Sequence, residues 1–188
     1  MSIEELRERA DTLRAEALAL VDGPVGEVLR EVFGAYEIAG SVALDLMVWR
    51  DIDLYVRAEA TDAARLLAAL PHLATALADA GQPVSRIAYR DEHLEPDPAF
   101  PGMPGLYLGI STAGGWKIDL WGWDSSRFDA QHQGHRDLAA ALKDADRDLV
   151  LSLKDATRDR PDYSSVGVYE FVLAHADTTI EDYERFRR

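Results

Sequence analysis

The chain has 188 residues, of which 47% are hydrophobic and 29% charged, and its formal net charge is −14. This length suits one domain, or one domain with a small helical appendage, and the negative charge disfavours a broad nucleic-acid surface, which needs Lys and Arg to neutralise phosphates. The lack of cysteine excludes disulfides and thiolate metal sites, and no apolar run reaches the roughly 20 residues of a membrane span. The acidic N-terminus has no features of a secretory signal, so we expect a cytoplasmic protein.

The first third of the chain is predicted to begin with two helices. Apolar residues recur every three or four positions over 3–21, which is typical of an amphipathic helix, and Asp22-Gly23-Pro24 should end it. A second helix is expected over 25–33. Gly34 should close that helix ahead of a short apolar strand.

Two aspartates open the next predicted strand. The short strand ends in Gly40-Ser41, a short helix follows, and Asp51-Ile52-Asp53 begins a second strand. Because strand side chains alternate between faces, Asp51 and Asp53 share one face. Two like charges so close repel by about 4 kcal/mol at 4 Å for an effective dielectric constant near 20, unless a cation lies between them. A divalent metal ion is the simplest such cation.

The middle of the chain is predicted to contain a helix, a strand and a long loop. Thr61 should cap the helix, Pro71 should interrupt or restart it, and Gly81 should end it. A strand is expected over 84–89. The segment 95–105 is rich in Pro and Gly, which predicts a loop that could act as a lid or a wall of an acceptor site.

A third aspartate lies in a predicted β-hairpin. Strands over 106–111 and 116–121 flank Thr112-Ala113-Gly114-Gly115, which is typical of a tight turn. Alternation places Asp119 on one face with Lys117 and Trp121. Strand interiors are poor in Asp, so Asp119 is expected to serve either as a third metal ligand or as the ion-pair partner of Lys117. Three converging carboxylates would suit one or two Mg²⁺ ions, which prefer oxygen ligands.

The rest of the chain is predicted to be helical over 137–153, 165–176 and 180–186. Central strands with helices before and after them indicate a mixed α/β (α+β) sheet. We expect a core with N-terminal helices over 1–124 and a helical appendage of the same domain over 125–188. His132 and His135 have a spacing that could bind metal, but we predict that they are exposed to solvent.

The motifs together resemble the nucleotidyltransferase superfamily related to polymerase beta. The resemblance rests on Gly40-Ser41, on Asp51-Ile52-Asp53 in a hydrophobic strand, and on the later Asp119 between apolar residues. In addition, the stretch Gly40-Ser41-Val42-Ala43-Leu44-Asp45-Leu46 is similar to the Gly-Gly-x-Ala-x-Asp-Leu of small aminoglycoside and lincosamide nucleotidyltransferases. The likeness covers 36–124, and the C-terminal third matches only through Leu153-Lys154-Asp155. The spacer Met47-Val48-Trp49-Arg50 is shorter than in those proteins, which leaves fewer groups to hold a triphosphate.

The resemblance implies a mixed-sheet nucleotidyltransferase core that transfers a nucleoside monophosphate from a triphosphate to a hydroxyl acceptor. Asp51 and Asp53 would hold Mg²⁺, with Mn²⁺ as a substitute, and Asp119 would bind a second ion or act as general base. Gly40 and Ser41 would cradle the terminal phosphates. Lys154 would direct its charge towards them.

Several features of the function stay open at the level of sequence. The acidic charge favours a small cationic acceptor such as an aminoglycoside over a long nucleic acid, and two subunits could pair to complete the acceptor pocket. Trp121 and Trp123 could stack on a base or an acceptor ring, or pack in the core. The shortened spacer also fits a catalytically silent nucleotide-binding or protein-interaction module. A third possibility is a toxin-like enzyme that modifies transfer RNA or a protein.

Overall fold

The computed structural model of the chain describes residues 1–96, 104–161, 163–175 and 179–186. Its described strands form one sheet, and helices precede and follow them. The strands are β1 Glu37–Ala39, β2 Asp51–Arg57, β3 Val84–Asp91, β4 Leu106–Thr112 and β5 Lys117–Trp123. The helices are α1 Ile3–Asp22, α2 Pro24–Phe33, α3 Gly40–Leu44, α4 Ala63–Ala68, α5 Leu70–Asp79, α6 Ser125–Leu142, α7 Arg147–Thr157, α8 Ser165–Ala174 and α9 Ile180–Phe186. The predicted mixed α/β fold is confirmed.

The sheet has the order β1-β2-β5-β4-β3. Strand β2 runs antiparallel to β1 and parallel to β5, while β4 lies antiparallel to both β3 and β5. The parallel pair places Asp51 beside Lys117 and Asp53 beside Asp119. Two segments that are far apart in the sequence therefore meet at the centre of the sheet.

The N-terminal helices form as the pattern predicts. Ser2 and Glu5 make a capping box at the start of α1, and the side chains of α1 that point inward are buried. Helix α2 starts at Pro24, and Gly34 ends it with a φ of +80°. Both helices pack on one face of the sheet, where Ile52, Leu54 and other alternate residues of β2 are fully buried.

The other face of the sheet is covered by helices from the C-terminal part. Helix α6 contacts β2 and β5, and it also contacts α8. A second cluster of buried residues joins α1, α7, α8 and α9, and includes Leu46, Val48, Leu151 and Tyr169. The polar face of β2 and β5 therefore looks into the space between the sheet and α6 and α8. The predicted division of the domain at residue 124 stays a prediction.

The structure differs from the predicted elements in three places. The helix predicted over 137–153 is divided, because α6 ends at Leu142 and α7 begins at Arg147 after its N-cap Asp146. Thr61 is not a helix N-cap, because a short 3₁₀ turn at Ala60–Asp62 precedes α4 and is capped by Glu59. Pro71 does restart the helix, as α5. Helix α6 begins twelve residues earlier than predicted, since the Asp124 side chain accepts a hydrogen bond from the Arg127 backbone at 2.9 Å.

Most of the loop predicted over 95–105 lies outside the described residues, which omit 97–103. Over the parts of the chain that are described, no helix combines the length and the apolarity that crossing a membrane requires.

Candidate active site

The three predicted aspartates lie on the same face of two neighbouring strands. Asp53 and Asp119 are direct partners across the parallel pair β2–β5, and Asp51 lies two residues before Asp53 on the same side of β2. Ile52 and Ile118 point to the opposite face, into the core. The alternation of side chains along each strand and the register between them bring the carboxylates together.

A lysine lies between two of these carboxylates. Lys117 Nζ is 2.5 Å from Asp119 Oδ2 and 3.5 Å from Asp51 Oδ1. The Tyr107 hydroxyl donates to Asp119 Oδ1 at 2.9 Å. The ion pair between Lys117 and Asp119 that the sequence left open is therefore formed, and the cation between the carboxylates in this structure is an ammonium group.

The described residues contain no group of three acidic or histidine side chains arranged to hold a metal ion. Asp119 Oδ1 and Oδ2 are both hydrogen-bonded, to Tyr107 and Lys117. Asp51 Oδ1, in contrast, is buried with no hydrogen-bond partner among the described residues. The role of Asp119 as a third metal ligand stays a prediction, while Asp51 Oδ1, without a hydrogen bond, has the Lys117 ammonium 3.5 Å away as its ion-pair partner among the described residues.

Burial and mutual repulsion make the aspartates of β2 hard to ionise. Burial, reinforced by the charges of Asp51 and Asp119, raises the pKa of Asp53 to about 7. Burial also raises the pKa of Asp51, although Lys117 opposes this effect. Burial lowers the pKa of Lys117, but Asp51 and Asp119 outweigh it, and the net effect is a raised pKa. A cation close to Asp51 and Asp53 would offset both the burial and the repulsion and would favour their ionised forms.

Gly40 lies directly against the Asp53 carboxylate. Its φ is +57°, and a Cβ at this position would be 1.9 Å from Asp53 Oδ2. A residue with a side chain would therefore be strained in the backbone and would collide with the carboxylate. The glycine allows the turn from β1 into α3 to approach the acidic strand, and it brings Ser41 to the same place.

These residues line a cleft of about 500 Å³ between the sheet and helices α6 and α8. Asp51 and Asp53 line this cleft but Asp119 does not, and the other lining residues are Gly40, Ser41, Leu44, Tyr55, Trp121, Trp123, Gln131, His135, Leu138, Ser165, Val166 and Tyr169. Its aromatic rings are in mutual contact: the indoles of Trp121 and Trp123 stack at 5.5 Å, and Tyr55 meets Trp123 edge-on at 4.6 Å. The cleft therefore has an acidic floor and an aromatic wall.

Lys154 is not on the cleft surface. Only 1% of Lys154 is exposed to solvent. Its Nζ donates hydrogen bonds to the Leu46 carbonyl at 2.5 Å and to the Tyr169 hydroxyl at 3.0 Å. Burial lowers the pKa of Lys154 to about 8, although Asp51 and Asp53 oppose this shift. The predicted phosphate-directed cation is thus held inside the protein, where its charge interacts with the aspartates.

The prediction that His132 and His135 are exposed to solvent is wrong. Both are partly buried on α6, and the His132 imidazole lies 3.5 Å from the Glu37 carboxylate. His135 lines the cleft, hydrogen-bonds the Gly40 backbone, and has a buried Nε2 with no partner among the described residues. Burial lowers the pKa of His135. Asp124 is the signal for this arrangement, because a helix starting after it would place Gln131 and His135 on one face.

Neither a protein-family model nor a curated protein matches the sequence. Solved structures with similarity include a cytoplasmic RNA terminal U-transferase, with a TM-score of 0.45, 16% identity, and coverage of 90% of this chain and 46% of that chain. The RNA terminal uridylyl transferase Cid1 matches with a TM-score of 0.45 and 15% identity, over 89% of this chain and 45% of that chain. Terminal uridylyl transferase 4 from Trypanosoma brucei, with bound UPU, matches with a TM-score of 0.40 and 14% identity, over 86% of this chain and 57% of that chain.

The chain therefore spans about half the length of the first two of these structures. With TM-scores below 0.5 and identities of 16% or less, these similarities carry no argument about function.

Proposed function

We propose that the chain is a Mg²⁺-dependent nucleotidyltransferase of the polymerase beta-like superfamily, which transfers a nucleoside monophosphate from a triphosphate to the hydroxyl of a small molecule. The observation that carries the proposal is the placement of Asp51 and Asp53 on one face of β2, with Asp53 against Gly40 and in register with Asp119. Such a protein would act in the cytoplasm, where its triphosphate substrate is available.

The residues present fit a divalent cation. Asp51 has a buried oxygen without a hydrogen-bond partner among the described residues, and Asp53 is partly buried with a raised pKa. Both groups would gain from a nearby positive charge, and carboxylate oxygens are the ligands that Mg²⁺ and Mn²⁺ prefer. Asp51 and Asp53 would hold the ion, which when bound neutralises phosphate charge and polarises the phosphoryl oxygens.

The other residues of the site would bind the substrate and move the proton. Gly40 and Ser41 lie beside Asp53 on the cleft wall, where a backbone amide and a hydroxyl would bind the terminal phosphates. Asp119 would accept the proton of the acceptor hydroxyl. The acceptor oxygen then bonds to the α-phosphorus, the bond from that phosphorus to the bridging oxygen breaks, and pyrophosphate leaves.

The charge and the aromatic wall support a small acceptor. A net charge of −14 disfavours the many phosphate contacts of a long RNA and favours a cationic compound such as an aminoglycoside. The stacked indoles of Trp121 and Trp123, with Tyr55, offer a surface on which a base or an acceptor ring would stack.

The position of Lys117 supports a second candidate, a catalytically silent nucleotide-binding module. An ammonium already between Asp51 and Asp119 could balance the site without turnover. Calorimetric titration with Mg²⁺ and ATP, followed by an assay for pyrophosphate, distinguishes the two, because the silent module would bind both but release no pyrophosphate.

A pyrophosphate-release assay tests the proposal. The protein is incubated with Mg²⁺, each of the four ribonucleoside triphosphates, and a panel of aminoglycosides, other small hydroxyl compounds and single-stranded RNA. We expect release with at least one small acceptor. Asp53→Asn should abolish it while the protein stays folded, as a cooperative thermal melt would show, and Asp79→Asn, a control at the exposed end of α5, should retain it. Substantial turnover of Asp53→Asn, or transfer only to RNA, would contradict the assignment.

A further inference from the structure

Lys117 occupies the part of the site between the third aspartate and the first. Its side chain extends along β5 towards Asp119, so Nζ contacts Asp119 Oδ2 at 2.5 Å and lies 3.5 Å from Asp51 Oδ1. Asp53 contacts Gly40 instead, on the side of β2 where β1 pairs. The acidic floor thus has two parts. Asp119 and Asp51 share the ammonium group of Lys117, while Asp53 faces the cleft.

A second divalent cation would need this same space. Two-metal phosphoryl-transfer sites place the ions about 4 Å apart and use shared carboxylates to hold both. Here the carboxylate that a second ion would need is Asp119, and its oxygens are already bound by Lys117 and the Tyr107 hydroxyl. A divalent ion at this position would also be repelled by the ammonium at close range.

We propose that Lys117 Nζ takes the place of a second divalent cation, so that the cleft binds a single divalent ion at Asp51 and Asp53. This inference rests on the proposed function, since it concerns the number of ions in the same site. The ammonium supplies one positive charge beside Asp119 without any metal. Lys117 is thus a positioning residue that fixes Asp119 and sets the metal stoichiometry.

The Lys117 side chain can be changed with little effect on folding. It is 55% exposed, at the first residue of β5, and it packs in neither buried cluster. Removing it should leave the sheet intact and free Asp119 Oδ2 and Asp51 Oδ1 to bind a cation.

Counting bound Mn²⁺ by electron paramagnetic resonance tests this. The full chain is titrated with Mn²⁺ in the presence of a triphosphate analogue whose α–β bridge is a methylene group, which prevents turnover. We expect one bound Mn²⁺ per chain in the wild type. Lys117→Ala and Lys117→Gln should each bind two, and the paired ions should broaden the six-line Mn²⁺ signal. Lys143→Ala, at an exposed lysine after α6, should still bind one.

Each outcome supports or overturns the inference that the cleft binds a single divalent ion. Two ions in the wild type, or one ion in both Lys117 variants, would overturn the inference. If pyrophosphate release is seen in those cases, the nucleotidyltransferase assignment still holds. Failure of the wild type to bind Mn²⁺ would instead overturn both, whereas one bound Mn²⁺ without pyrophosphate release would overturn only the nucleotidyltransferase assignment. If Lys117→Ala does not fold, Lys117→Gln and the wild-type count decide.

Discussion

Gly40→Ala should separate the geometry of the site from the stability of the fold. The residue has a φ of +57°, and forcing alanine into this conformation costs about 1–2 kcal/mol. The new Cβ would lie 1.9 Å from Asp53 Oδ2, whereas ordinary contact begins at 3.4 Å, so the carboxylate would have to move by about 1.5 Å. A misplacement of about 1 Å in a catalytic group costs about 100-fold in rate. We therefore expect kcat/KM for nucleotidyl transfer to fall by at least about 100-fold.

Gly81→Ala is the matched control for backbone strain. Gly81 has a φ of +74°, and no atom lies within 4 Å of where its Cβ would be. This variant should lose about 1–2 kcal/mol in the free energy of unfolding but keep wild-type transfer. Urea unfolding and pyrophosphate release measure the two effects. Near wild-type transfer in folded Gly40→Ala, or an equal loss of transfer in Gly81→Ala, would refute the reasoning.

Three further predictions concern charge, burial and stacking. In EDTA, the free energy of unfolding should fall as pH rises from about 4 to 7. The reason is that the pKa of Asp53 is raised from 3.8 to about 7, so the folded state keeps the proton to a higher pH than the unfolded state. Thermal melts should show a smaller decrease in stability with pH for Asp53→Asn, and also for the wild type with Mg²⁺. Lys154→Met should lower the free energy of unfolding by about 1–3 kcal/mol, because the Leu46 carbonyl and the Tyr169 hydroxyl lose their hydrogen-bond donor. The midpoint of urea unfolding should fall accordingly, and an unchanged midpoint would contradict this prediction. Trp121→Ala should raise KM for the nucleotide or the acceptor by up to about tenfold and leave kcat little changed, because the lost stacking energy is about 0.5–1.5 kcal/mol. Steady-state kinetics in which KM stays the same would exclude a role in stacking.

The sequence predicted which residues share a face more reliably than it predicted what lies between them. Alternation along a strand depends only on local geometry, so Asp51 and Asp53 could be placed on one face without knowledge of the fold. The parallel pairing of β2 with β5 depends on the sheet order, which the pattern did not specify. Whether Asp119 meets a metal ion or Lys117 depends on the reach of a flexible side chain, and the sequence left both open.

Two other features of the site could not be found from the pattern used. Helix α6 starts in a polar stretch where Phe128 is the buried residue, so the apolar periodicity that marks helices is weak there, and His135 was misplaced with it. Lys154 lies between Leu153 and Asp155 on α7, and lysines are seldom fully buried, so its interior position had no sequence signal. Its hydrogen bonds to Leu46 and Tyr169 are what make the burial tolerable.

The parallel pairing of β2 with β5 has a consequence for the protein during synthesis. A nascent chain exposes the edge of β2 until the β4–β5 hairpin has been translated and docked, and such an open edge can pair with other chains. Asp51 and Asp53 put charge on that edge, which discourages premature pairing. The same two carboxylates would therefore reduce aggregation of the incompletely synthesised chain before the cleft forms.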